Sequence, residues 1–431
     1  MEALQVEVVT GSAREGPMTW GQLTQQAIYD FTGEESHRQT QKRSIELPPG
    51  LPPERIAAAV RHVLQRHESL RTLYSADRRQ RVPAVLQLSV PMAAAGSAEQ
   101  DRAIRAELHR RPFGPDDPPV RFGVLRRSDG SATLLVAASH VAVDAFAADR
   151  LADELEQLCC LGDPGALPPV VGQPMDRIDF EGSPAGRELS RRNIERWLRL
   201  RDDGVSSTPA PARTGTVPRF YTGTLTSVRL RRALPVAAAR LRVSPAVLLL
   251  AGMSSALGEL FGIAKVATRI AFSNRTGPED QGIEALMQWG LAIVDVRAPA
   301  QEVARAAFRE TMRASATARY DIYELFETLS GERHPTHQRF MPQAFLNYFD
   351  GASTTSMTPA DGDLAAPEST FTTALSHEHD SDGLYFLFAL PQAEAVTLLY
   401  MADSQLLTPV ELEASARSLE RWVLTAAQAG R

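Results

Sequence analysis

Cysteine is nearly absent from this chain. Among 431 residues only Cys159 and Cys160 are cysteines, and they are neighbours. Adjacent cysteines rarely pair and no C-x-x-C occurs, so the composition excludes a disulfide framework and a cysteine-rich zinc site and fits a reducing compartment. Long apolar runs are missing too. None approaches the roughly 20 residues of a membrane span, and the start, Met1–Gln5, lacks the basic and apolar regions of a signal peptide. The expectation is a cytoplasmic protein with no membrane contact. Nor is there a surplus of positive charge. With 46 basic and 52 acidic residues the net charge is −6, which argues against nucleic acid as a partner of the whole chain. The phosphate-cradling loop G-x-x-x-x-G-K-[ST] and the nucleophile elbow G-x-S-x-G are also absent. What is present is 43% hydrophobic and 23% charged residues, the profile of a globular protein with real cores.

The first 45 residues give only a weak helical pattern at Leu23, Ala27, Ile28 and Phe31. A stiff Pro/Gly turn follows at Leu47–Pro53, and then Ile56, Val60, Val63 and Leu64 recur at helical spacing over 54–67. Strands are expected at 84–90, 120–125 and 133–138, with a polar helix at 99–110 and further helices at 145–161 and 184–201. The last of these carries six arginines, Arg187 to Arg201, read as a solvated face with docking of an acidic partner as the functional option. The stretch 202–218 is polar and rich in Ser, Thr, Pro and Gly. It is taken as a linker dividing a first lobe, 1–201, from a second, 219–431. In the second lobe strands are expected at 222–230, 266–272, 345–349, 384–390 and 395–401, and helices at 245–262, 302–318 and 409–427. Residues 353–368 read as loop. Strand and helix patterns alternate loosely in both halves, which suggests two α/β lobes of similar size.

One stretch draws attention by its chemistry. The apolar run Leu134–Ala138 ends at Ser139-His140, and Asp144 follows four residues after the histidine. A histidine at a strand end is placed to face a cleft, and a nearby carboxylate can fix a loop or a ring. Read alone, H-x-x-x-D is more often an ordinary buried histidine. Ser376-His377-Glu378-His379-Asp380 has two histidines two apart, but no third ligand at fixed spacing, so it reads as polar surface and no metal is expected.

The nine residues Arg66-His67-Glu68-Ser69-Leu70-Arg71-Thr72-Leu73-Tyr74 resemble the R-H-E-x-L-R-T-x-F signature of condensation domains from nonribosomal peptide synthetases. His140 and Asp144 then fall where that family has H-H-x-x-x-D-G. Met18–Gln22 is weakly similar to its opening S-x-A-Q motif, and Asp179-Phe180 with Glu195-Arg196-Trp197 to its D-F and Y-W positions. Ser273–Glu279 resembles its N-R-x-x-P-E segment, and Phe340–Phe349 its R-x-P-x-x-F-N-Y strand. The matches run in family order over most of the chain.

The resemblance implies an α/β fold of two chloramphenicol acetyltransferase-like lobes, a V-shaped pseudo-dimer with a central tunnel. It implies acyl transfer from a thioester, on the phosphopantetheine of an acyl or peptidyl carrier protein or on coenzyme A, to a small-molecule amine or alcohol. No bound cofactor is implied. His140 takes the place of the reacting-centre histidine, as general base or acceptor-orienting residue, a task suited to an imidazole near neutral pH. Asp144 takes that of a structural aspartate, for which Arg275, in the second lobe, is the candidate partner. Ser139, Ala145, Asn347 and Trp289 map to tunnel positions, and Asn347 could hydrogen-bond substrate or developing charge.

The chain also departs from the family pattern. Ser139 replaces the first histidine, and Ala145 replaces the glycine, a strained exchange if that backbone needs φ > 0. Ala285–Leu291 differs from the family's tunnel-lining segment. The leading expectation is a free-standing condensation enzyme of natural-product, antibiotic-type biosynthesis. The alternative is a catalytically degenerate condensation-like domain that recruits a carrier protein or tailoring enzyme. An epimerisation domain, which shares the fold, is disfavoured by Ser139. Donor, acceptor, bond type and oligomeric state are not specified by the sequence.

Overall fold

A computed structural model describes residues 2–202, 205, 208–210, 213–331, 341–348, 367–377 and 381–428. The chain forms two compact units. The first comprises Met1–Ser190 together with Ser273–Met287, and the second Arg191–Phe272 with Gln288–Arg431. The division at 201/219 therefore differs from the observed one in two respects. The units part inside a helix, after Ser190, and a fifteen-residue segment from the middle of the second half belongs to the first unit.

In the first unit the elements are β1 (Glu2–Val9), β2 (Arg14–Pro17), α1 (Trp20–Thr32), β3 (Gln41–Leu47), α2 (Pro53–Arg66), β4 (Leu73–Tyr74), β5 (Arg79–Val82), β6 (Val85–Ala93), α3 (Ala98–Arg110), β7 (Val120–Arg126), β8 (Ala132–Ala138), α4 (Ala145–Cys160), α5 (Pro174–Glu181) and the start of α6 (Pro184–Asp202). Five strands make a sheet in the order β1-β6-β7-β8-β3, and β2, β5 and β4 make a small antiparallel ribbon. All seven residues of β8 are buried, as a continuous apolar run in an interior strand requires. Its neighbours β7 and β3 hold it antiparallel, Ala138 lying opposite both Val120 and Gln41. Helix α3 buries Ile104 and Leu108 against Leu125, Leu135 and Ala137. Gly123 permits that approach, because a Cβ there would lie 2.5 Å from Ile104.

In the second unit the elements are β9 (Phe220–Ser227), α7 (Val228–Leu241), α8 (Pro245–Phe261), β10 (Lys265–Phe272), β11 (Gln288–Asp295), α9 (Ala300–Ala316), α10 (Ile322–Ser330), β12 (Ala344–Tyr348), β13 (Thr370–His377), β14 (Tyr385–Pro391), β15 (Val396–Asp403) and α11 (Pro409–Gln428). The sheet order is β11-β10-β12-β14-β15-β9-β13, with β10, β12 and β14 parallel. One face packs under α7, α8, α9 and α11 through Val266, Leu346, Leu387 and Leu398. The expected strand 222–230 stops at Ser227, whose hydroxyl accepts from Leu230 N at 2.9 Å and starts α7. No single helix among the described residues is long and apolar enough to cross a membrane. Phe340, Phe349, most of the expected loop 353–368, and Glu378, His379 and Asp380 lie outside the described residues.

Candidate active site

The turn between β8 and α4 carries His140. Ser139 fixes its start: Ser139 N donates to Pro119 O at 2.7 Å, and Ser139 O accepts from Ala142 N and Val143 N, each at 3.0 Å. Asp144 ends it as the N-cap of α4, its Oδ1 accepting from Ala147 N at 2.9 Å. Ala145 is the first residue of α4 and is not among the residues with positive φ. The strain expected from an alanine there does not arise, because a right-handed helix start suits alanine.

The Asp144 carboxylate is filled. Arg275 donates from Nη1 to Oδ2 at 2.9 Å and from Nη2 to Oδ1 at 3.1 Å, and Leu286 N donates to Oδ2 at 3.0 Å. Both charged side chains are 3% exposed. A carboxylate that accepts two guanidinium bonds and two amide bonds has no lone pair left for substrate; the geometry makes it a strut. Arg275 was expected in the second lobe, but the segment 273–287 that carries it belongs to the first unit. Internal polar contacts hold that segment there. Arg275 Nη2 donates to Glu284 O at 3.0 Å and its guanidinium lies 4.6 Å over the Phe146 ring. Arg177 pairs with Glu284 at 2.9 Å and with Asp280 at 3.0 Å. Gly21 touches the segment as well, since a Cβ there would meet Ala285 O at 2.1 Å.

The Arg66–Tyr74 stretch serves the same construction. His67 Nε2 lies 2.8 Å and Arg66 Nε 3.2 Å from Glu154 on α4. Burial acts to raise the Glu154 carboxyl, but His67 and Arg66 outweigh it and hold it below the usual range. Glu68 pairs with Arg14 at 2.8 Å, and the Ser69 hydroxyl donates to Ile283 O. These residues clamp α4 and the 273–287 segment.

His140 itself is half-buried. Its backbone N–H donates to the Tyr29 hydroxyl at 2.8 Å, and the Ser139 hydroxyl lies 3.3 Å from the same oxygen. Its Nδ1 is buried. Burial pushes the ring below the ordinary imidazole range, against the opposing pull of backbone hydrogen bonding at His140 itself and then of the Asp144 charge. The neutral form of the imidazole, the form that can take a proton, is thereby favoured. A cavity of about 200 Å³ opens beside Ser139, lined also by Tyr29, Tyr74, Phe113, Asp117 and Val141.

The two remaining sequence candidates lie in the second unit. Asn347 sits on β12, half-buried, opposite Phe388 in register. Trp289, taken from the sequence as a tunnel residue, is 1% exposed. Arg269 lies 4.5 Å over its ring, and its carbonyl accepts from the Tyr320 hydroxyl at 2.8 Å. Trp289 is thus packed into its own unit, because β11 places it against a buried arginine held by Asp382 at 2.9 Å. Sequence reasoning missed Tyr29 and the Leu286 amide. A tyrosine on a buried helix face needs a partner for its hydroxyl, which was the available signal for Tyr29; a backbone amide leaves none.

A family model for the condensation domain matches residues 24–382. Phosphinothricin tripeptide synthetase PhsB of Streptomyces viridochromogenes is 26% identical over 331 residues, covering 72% of this chain and 28% of that protein. The chain thus spans less than a third of the length of the curated relatives it matches. Among solved structures, the condensation domain mediating chain release from the enacyloxin polyketide synthase superposes with a TM-score of 0.73 at 22% identity, covering 98% of this chain and 84% of that one. The starter condensation domain of rhizomide synthetase RzmA, in complex with C8-CoA, gives a TM-score of 0.66 at 17% identity, covering 96% and 95%. These likenesses establish the fold of two acetyltransferase-like units.

Proposed function

Because the chain belongs to the condensation-domain family, we propose that it is an acyltransferase of nonribosomal peptide-type biosynthesis, forming an amide or ester from a thioester donor. The donor is an acyl or aminoacyl group on the phosphopantetheine of a carrier protein or on coenzyme A, and the acceptor is a small-molecule amine or alcohol. The carrier arm is part of the substrate. The protein works in the cytoplasm.

In this reading His140 accepts the proton of the attacking amine or alcohol, or orients that group by a hydrogen bond, as the C–N or C–O bond forms at the thioester carbonyl. The C–S bond then breaks, and the proton passes from the imidazole to the departing thiolate. Asp144 and Arg275 hold the turn and stay outside the proton path. No substrate role is proposed for Trp289. One observation carries the reading: the His140 imidazole stands on a turn locked by Tyr29 on one side and by the Asp144–Arg275–Leu286 cluster on the other.

The test is turnover by the purified chain. Acyl-pantetheine and acyl-CoA thioesters are mixed with amines and alcohols, and products are followed by mass spectrometry. Product from wild type and none from His140→Ala is expected. A wild-type protein that folds, binds a carrier protein and yields no product with any donor would replace the enzyme by a recruiting domain.

A further inference from the structure

We infer that Lys42, Arg105 and His109 form an oxyanion site at the edge of the first unit's sheet, one that takes a phosphate group. Lys42 lies on β3, the last strand in the order β1-β6-β7-β8-β3. It stands directly opposite Ala137 of β8. Residues opposite each other in a sheet share a face, and Ala137 packs with Ile104 and Leu108 of α3. The Lys42 side chain therefore leaves the sheet on the α3 side. Arg105 and His109 each follow one of those buried residues and are four apart, so they form one row along the flank of the helix. Arg38, four residues before Lys42, adds its charge to the same spot. Arg38, Lys42 and Arg105 are exposed and His109 is half-buried, so a dissolved ligand has access to them.

The cluster carries one sign of charge. Burial and then the Arg38 charge lower the Lys42 pKa, and burial, then Lys42 and Arg105, lower that of His109. Among the described residues no carboxylate offsets either of them. Glu107 of the same helix is turned to Arg111 at 2.6 Å, and Asp101, on the turn before Arg105, acts on neither Lys42 nor His109. Two other cations show the contrast. Arg121 stands opposite Ala137 from the β7 side, in the same cross-strand row, and is paired with Asp117 at 3.3 Å. Lys265, the only other lysine of the chain, stands opposite Asp295. Like charges held together disfavour one another's charged forms. An anion bound among them reverses that penalty, so the cluster is most stable when occupied.

The chemistry of the ligand follows from the donors. Ammonium, guanidinium and imidazolium groups donate and do not accept, so the ligand must be an acceptor on every side it presents to them. A carboxylate brings one charge and two oxygens to three cations. A phosphate monoester or free phosphate brings nearly two charges and at least three acceptor oxygens, and it matches both the arginine fork and the lysine point charge. The net charge of −6 works against a long polyanion. The ligand is thus a single phosphate group, either free or at the end of a small molecule such as a phosphorylated pantetheine.

The experiment uses the scarcity of lysine. Reductive methylation with carbon-13 keeps the charge and labels Lys42, Lys265 and the amino terminus, so Lys42 gives its own NMR signal beside a Lys265 control. Inorganic phosphate, pantetheine-4′-phosphate and pantetheine are titrated separately at neutral pH, with ionic strength held constant by sodium chloride. The Lys42 signal is expected to move saturably with both phosphates and to stay in place with pantetheine, while Lys265 stays in place throughout. Pantetheine-4′-phosphate bound at least about tenfold more tightly than phosphate would identify the pantetheine arm as the source, and equal affinities would identify free phosphate. Arg105→Gln and His109→Gln keep the reporter and should each weaken phosphate binding at least about fivefold. Unlabelled Lys42→Gln should melt at or above the wild-type temperature in chloride and lose the rise in Tm that phosphate gives the wild type. A Lys42 signal that does not move, an equal movement at Lys265, or phosphate binding unchanged in both variants would overturn the assignment. Binding is read without turnover, so this site and the acyl-transfer reading fail separately.

Discussion

Asp144→Ala removes four acceptor contacts at once, and its consequences can be worked out from the geometry. The Arg275 guanidinium loses two bonds at 2.9 and 3.1 Å, Leu286 N loses one at 3.0 Å, and α4 loses its N-cap bond at 2.9 Å. Breaking a buried ion pair from one side costs about 3–5 kcal/mol, because the remaining charge is left without compensation. The N-cap adds about 1 kcal/mol, within the non-additivity of a shared site. A chain of two units need not unfold in one step, so the sensitive measurement is local hydrogen exchange. Thr276 N and Gly277 N donate to Asp280 at 3.1 and 3.3 Å and do not touch Asp144, so they report the opening of the segment itself. A loss near 3 kcal/mol raises their exchange roughly 100-fold. Arg275→Met in the Asp144→Ala background should recover part of that loss, because it takes away the stranded charge. If Thr276 and Gly277 exchange at the wild-type rate in Asp144→Ala, the cluster does not hold the segment and the strut assignment is wrong.

Three further outcomes follow from the same turn. Tyr29→Phe leaves the His140 amide without its acceptor and should lower kcat about tenfold with little change in KM; steady-state kinetics check the split, and a change confined to KM would speak for a binding role. Ala145→Gly should lower stability by about 0.5–1 kcal/mol, since the position is helical; a stabilised variant in a denaturant titration would show strain at Ala145. Burial lowers the His140 pKa, so with an alcohol acceptor, which does not titrate in this range, kcat/KM should be flat above neutrality and fall only below the ordinary imidazole value of about 6.5. The stability sign agrees: between the lowered folded value and the unfolded value the unfolded chain binds more protons, so this group's contribution is lost as pH falls. An acid limb centred at or above pH 7 would contradict a desolvated imidazole.

The sequence was informative wherever an apolar period or a run of specific residues sufficed. The buried strand at Ala132–Ala138, the helix at Pro53–Arg66 and the capped helix at Pro245–Phe261 carry their patterns openly. The edge strands Glu2–Val9 and Gln41–Leu47 expose every second residue to solvent and read as mixed polar chain. The helix Val228–Leu241 is hidden by Pro235 in its interior. At the site, His140, Asp144 and Arg275 could be named from spacing and family order. That Arg275 travels with the first unit could not, because segment 273–287 is held by ion pairs from Arg177 and by backbone contacts to Asp144 and Ser69. Such contacts have no period. Trp289 shows the converse error: a large aromatic in a departing segment suggested substrate contact, whereas its partner is Arg269, twenty residues earlier.

The central claim is that His140 handles the proton of the acceptor. The direct measurement is kcat/KM of His140→Ala against wild type, with one thioester donor and one acceptor that the wild type uses, at matched melting temperatures. The account predicts a loss of at least about 100-fold. A variant that forms product at the wild-type rate would contradict it.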